Sequence, residues 1–118
     1  MIVCAIDDLL FSIKIKAAAK QLDVPLYFER AGDRIVETVR EKQPSLVIFD
    51  LNSAKLAPLL AIAALKHDPA LAGIKTIGYV SHVDTATIDA ARAAGVDQVL
   101  ARSAFAEQLG EILRTDRR

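Results

Sequence analysis

Five short runs of β-branched and aliphatic residues alternate without a break with five longer segments of helical period across these 118 residues. Strands are expected over 2–6, 25–29, 45–50, 75–80 and 97–100, and helices over 10–22, 33–42, 57–66, 85–94 and 104–114. Spacing carries the helices. Phe11, Ile15, Ala18 and Leu22 fall on one stripe at 3.6 residues per turn, and Phe105, Leu109, Ile112 and Leu113 repeat the pattern near the C-terminus. End signals agree with the spacing. Asp84 and Ser103 stand where an N-cap oxygen accepts from exposed amides, and Gly95 follows the fourth helix, where a positive φ is cheap only without a Cβ. Pro58 belongs in the first turn of the third helix, because its ring breaks a helix interior.

Strands joined by helices run parallel, and a parallel sheet has both faces covered. Leu46-Val47-Ile48-Phe49 is apolar on both faces, as a central strand must be. The second strand opens on Pro25 and closes on Glu29-Arg30, which suits an edge. Right-handed crossovers restrict the winding further. The expected class is α/β: a flavodoxin-like (βα)5 three-layer sandwich with a parallel five-stranded sheet of order 2-1-3-4-5. No linker, repeat or low-complexity tract interrupts it, so residues 1–118 read as a single domain with no output domain.

Composition narrows the partners. Fifteen basic and fifteen acidic residues cancel, which leaves no bulk electrostatic reason for nucleic acid or an anionic membrane. The arginines at 114, 117 and 118 read as a solvated tail. The apolar start, Met1 to Ile6, has no basic leader and meets two aspartates at once, unlike a signal peptide. A single cysteine, Cys4, sits among aliphatic neighbours and reads as a buried small hydrophobe in a reducing, cytoplasmic setting.

In an open α/β sheet, the functional edge lies at the carboxyl ends of the strands, beside the switch in strand order. Asp7 and Asp8 follow the first strand, and Asp50, Leu51 and Asn52 close the third. Ser81 and His82 follow the fourth, and Arg102 and Ser103 the fifth. Three aspartates at one edge repel each other unless a cation joins them, and a set of oxygen donors that leaves room for water suits Mg²⁺. Helix capping explains one acidic residue at the start of the first helix. It does not explain two, with Asp50 on the neighbouring strand.

The motifs Ile-Asp-Asp after the first strand, Leu-Val-Ile-Phe-Asp-Leu-Asn in the third and Ala-Ala-Gly-Val-Asp leading into the fifth resemble the receiver domains of bacterial response regulators, the CheY-like proteins, over the whole chain. The resemblance implies a stand-alone receiver-like domain in two-component (phosphorelay) signal transduction, and not an enzyme. It implies Asp50 as phosphoacceptor, with Mg²⁺ held by Asp7, Asp8, Asp50 and the Asn52 carbonyl. Ser81 and Arg102 would contact the phosphoryl group. The implied partner is a sensor histidine kinase or another signalling protein. A homodimer would use the face of the fourth helix, fifth strand and fifth helix, which carries Asp89, Arg92, Gln98, Glu107 and Glu111.

The chain departs from that family in four places. Arg102-Ser103 replaces a lysine followed by a cis proline, and a planar guanidinium is a poor substitute for a compact ammonium at a tight phosphate site. His82 stands where a very small residue is usual. Val99 stands where many receivers carry a Tyr or Phe that changes rotamer, and Tyr79, one strand away, reads as packing. Residues 51–55 lack the Pro-Gly signal of the family's loop, and His67 reads as a helix C-terminal cap. Arg102, His82 and Val99 favour an alternative: a pseudo-receiver that binds proteins without phosphorylation. Other readings are weaker. An FMN binder needs a phosphate cradle where Asp7-Asp8 would repel the phosphate. The Asp-x-His-x-x-Gly run of a cobalamin domain is missing. A hydrolase using Asp50 with His82 as base lacks a substrate pocket.

Overall fold

The computed structural model describes residues 1–82 and 84–117. Strands β1 (Ile2–Ala5), β2 (Leu26–Phe28), β3 (Leu46–Asp50), β4 (Lys75–Val80) and β5 (Gln98–Ala101) pair in parallel, in the order β2-β1-β3-β4-β5. Between them run α1 (Leu9–Leu22), α2 (Ile35–Lys42), α3 (Pro58–His67) and α4 (Thr85–Ala94). The chain closes with α5 (Arg102–Glu107) and α6 (Leu109–Arg114). This is the expected flavodoxin-like sandwich.

Strand alternation sorts the core into two layers, because successive side chains leave a strand on opposite faces. Ile2, Cys4, Leu46, Ile48, Ile77 and Tyr79 face Phe11 and Ile15 of α1, Phe105 of α5 and Leu109 of α6. Val3, Ala5, Val47, Phe49 and Val80 face α2, α3 and α4 through Ile35, Ile62, Leu65 and Ala91. Both expected stripes are buried or packed against the first layer. Cys4 is fully buried there, and burial pushes its thiol up to about 12, so it packs as an apolar residue.

Several ends differ from expectation. Strand β2 is only three residues long, and a 3₁₀ turn over Gly32–Arg34 precedes α2. The last helix is two helices, with Gln108 between them at φ −93° and ψ 5°. The apolar stripe runs through the break, so spacing alone shows one helix. Asp84 does cap α4, accepting from the Ala86 amide, and Gly95 ends it at φ 108°. Ser103 does not cap. The chain turns directly out of β5 at Ala101, which makes Arg102 the first helical residue and leaves Ser103 inside the turn. Pro58 opens α3, as its ring demands, but it follows Ala57 held in the left-handed region at φ 45°.

Two polar clamps fix the frame around the sheet edge. Glu29, after β2, is buried, and its two carboxylate oxygens accept from the Thr38 hydroxyl on α2 and the Ala31 amide. At the opposite end of the sheet, the Asp97 carboxylate accepts from the Lys66 ammonium and from both the amide and the hydroxyl of Thr76. Lys66 also donates to the carbonyls of Ala72 and Ile74. This clamp joins α3 and the turn after it to β4 and the approach to β5.

Candidate functional site

The carboxyl ends of β1, β3, β4 and β5 meet at one edge because the four strands are neighbours in register. Ala5 pairs with Phe49, Asp50 with Tyr79, and Val80 with Ala101. The loops that leave these ends carry Asp7 and Asp8, Asn52, Ser81 and Arg102. The edge expected from sequence is therefore assembled by the sheet itself.

Asp50 ends β3, half-buried, with one carboxylate oxygen accepting the Asn52 amide at 3.0 Å. Among the described residues nothing bonds its second oxygen. Burial raises its pKa; the Asn52 amide lowers it, Asp8 raises it, Arg102 lowers it and Asp7 raises it. Asn52 does more than its carbonyl suggested. Its side-chain oxygen accepts the Ser81 amide at 2.6 Å and ties the loop after β3 to the loop after β4. Gly78 makes room for this arrangement, since a Cβ there would stand 2.6 Å from the Leu51 side chain that roots the same loop. Ser81 is exposed, and so is His82 beside it. Val99 packs against the α3–α4 layer, away from Asp50.

Asp8 plays two parts. One oxygen caps α1 by accepting the Phe11 amide at 3.0 Å, and the other accepts the Arg102 guanidinium at 2.6 Å. Arg102, the residue expected to contact a phosphoryl group, is seated on Asp8. The early start of α5 aims it across the edge, and the Phe11 ring lies beneath its guanidinium at 4.4 Å. Asp7 has a cation of its own, Lys55, at 3.6 Å. Neither Lys55 nor Phe11 was legible as a site residue. Lys55 sits in a loop without a motif, and Phe11 counts as core by its spacing.

Tyr79 is 1% exposed and wedged between Phe11 and Phe105, with ring centroids at 5.1 and 5.2 Å. That is the packing role expected for it. Its hydroxyl has no hydrogen-bond partner among the described residues, and burial, with Asp50 nearby, raises its pKa. His67 is exposed at the last residue of α3.

The donor set has the hard-oxygen chemistry that Mg²⁺ takes. As the side chains stand, no three His, Cys, Asp or Glu groups among the described residues could hold a metal ion. Both oxygens of Asp8 are already engaged, one of them by a cation.

No family model matches the sequence, and no curated protein matches it. Solved structures do. A response regulator from Hahella chejuensis superposes with a TM-score of 0.84 at 17% identity, over 95% of this chain and 90% of that one. The phosphorylated cyanobacterial phytochrome response regulator RcpA gives 0.81 at 21% identity, over 97% and 88%. The receiver domain of a sensor histidine kinase from Pseudomonas aeruginosa, with a magnesium ion coordinated in its active site cleft, gives 0.83 at 16% identity, over 98% and 94%. The fold of this chain is that of response-regulator receiver domains.

Proposed function

We propose that the chain is a receiver-like domain of two-component signal transduction that accepts a phosphoryl group on Asp50. One observation carries the reading. A half-buried carboxylate ends the central strand of a receiver fold with one oxygen unengaged, and two further aspartates, a serine and an arginine stand on the neighbouring loops. In the proposed step, the unengaged Asp50 oxygen attacks phosphorus in line and forms an acyl phosphate. The bond from phosphorus to the donor's leaving group breaks, and the leaving group keeps the electron pair. Burial raises the Asp50 carboxylate pKa, which makes it more basic, and so a better nucleophile, than an ordinary solvated carboxylate. Ser81 and Arg102 are the residues proposed to contact the phosphoryl oxygens.

Asp7, Asp8, Asp50 and the Asn52 carbonyl are the proposed Mg²⁺ ligands. A bound ion would supply charge neutralisation between Asp50 and the incoming phosphoryl group. The proposed donor is a sensor histidine kinase, and the proposed setting is cytoplasmic. Among the described residues no helix is long and apolar enough to cross a membrane. The face of α4, β5 and α5 is the proposed surface for a second copy. In this reading the domain is a switch that is itself modified, not an enzyme.

A second reading is favoured by one contact. The Arg102–Asp8 ion pair neutralises the edge from within, as suits a constitutive protein-binding adaptor of the same fold. Incubation with acetyl phosphate, with and without Mg²⁺, followed by intact mass, separates the two. A gain of one phosphoryl group supports the acceptor; no gain in folded protein supports the adaptor.

A further inference from the structure

Phe11 holds both halves of the pair that closes the acidic edge. Its backbone amide donates to one oxygen of Asp8, and its ring supports the Arg102 guanidinium that takes the other oxygen. Arg102 is also the first residue of α5, where the helix dipole is unfavourable to a cation. Asp8 and the aromatic face offset that cost. The result is a guanidinium fixed at two points, planar and charge-matched to the carboxylate it covers. With Lys55 at Asp7, two of the three carboxylates already have a cation.

We propose that Arg102 is a built-in competitor for the divalent cation: a metal gains Asp8 only by displacing the guanidinium from it. The inference rests on the receiver reading only in taking Asp7, Asp8 and Asp50 as the metal's donors. It goes beyond that reading in making occupancy of the site an exchange between two cations. A dication and a guanidinium on the same Asp8 oxygen repel each other, and the other oxygen already caps the first turn of α1. A metal on the capping oxygen would compete with the Phe11 amide for it and weaken the cap. The Arg102 position is thus the cheaper one to vacate. The Arg102 and Asp8 side chains are 40% and 34% exposed, so the competition is modest and the exchange reversible.

Calorimetric titration with MgCl₂ tests this without reference to phosphorylation. Removing the competitor in Arg102→Gln should tighten Mg²⁺ binding roughly tenfold, from the lost ion pair and ring contact together. Lys14→Gln is the control, because Lys14 lines the same groove beside Leu10 and Arg102 without an ion pair to Asp8. Loss of its screened charge should change affinity by less than about twofold. Adding Asp8→Asn to Arg102→Gln should erase the gain. The proposal is overturned if Arg102→Gln binds no more tightly than the parent, if Lys14→Gln gains as much, or if no variant binds Mg²⁺. Phosphoryl uptake by Asp50, followed by mass, stands or falls separately.

Discussion

Asp50 carries its charge where burial and two neighbouring carboxylates oppose it, and only Asn52 and Arg102 act the other way. Replacing it with Asn keeps an oxygen for the Asn52 amide and removes the charge. Asp50→Asn should therefore melt higher than the parent at neutral pH, by roughly a few degrees for a domain this size. A lower melting temperature would show that the charge is better compensated than the geometry implies. Thr38 gives the opposite case. Its hydroxyl is one of the donors to the buried Glu29 carboxylate, and Val has the same shape without the donor. Thr38→Val should cost about 1–3 kcal/mol in urea denaturation, since a buried carboxylate loses a partner. An unchanged midpoint would mean that water supplies the missing bond.

At the scale of elements, the residue before α3 is the strained one. Ala57 sits at φ 45°, ψ 56°, because Pro58 excludes the right-handed helical region at the residue before it and the loop from β3 must still turn. Ala57→Gly should stabilise the fold by about 0.5–1 kcal/mol, read as a shifted denaturation midpoint with unchanged slope. The elements themselves were legible because their signals are local. The stripe of Phe11, Ile15 and Ala18, the cap at Asp84 and the stop at Gly95 each need only a few residues of context. The start of α5 was not legible. Whether Arg102 or Ser103 opens that helix depends on how sharply the chain leaves β5, and no local signal records it. The seat of Arg102 on Asp8 follows from that start, across 94 positions of sequence. The aspartates could be placed on one edge from strand order alone, but their counter-ions could not, because Arg102 and Lys55 reach them through long side chains from other loops.

For the whole molecule, the sheet is held at its two ends by different chemistry. One end gathers carboxylates, and the other is clamped by Lys66, Asp97 and Thr76. Burial would raise the Asp97 pKa, but its bonds to Lys66 and Thr76 hold it below the usual carboxylate value. A depressed folded value means that this clamp stabilises the domain above the unfolded carboxylate pKa of about 3.9 and stops doing so as pH falls through the folded value. The stability gap between the parent and Asp97→Asn should therefore be widest at neutral pH and shrink below about pH 4. A gap that stayed constant with pH would assign the clamp to hydrogen bonding without charge. At the other end, an acyl phosphate should form on Asp50. After treatment with a small phosphodonor, borohydride reduction and peptide mass mapping would find that bond where it stands, because reduction converts the phosphorylated aspartate to homoserine. Reduction is expected at residue 50 and should be absent from the Asp50→Asn variant. Reduction at Asp7 or Asp8, or at no residue of a folded sample that had been offered phosphodonor and Mg²⁺, would contradict that expectation.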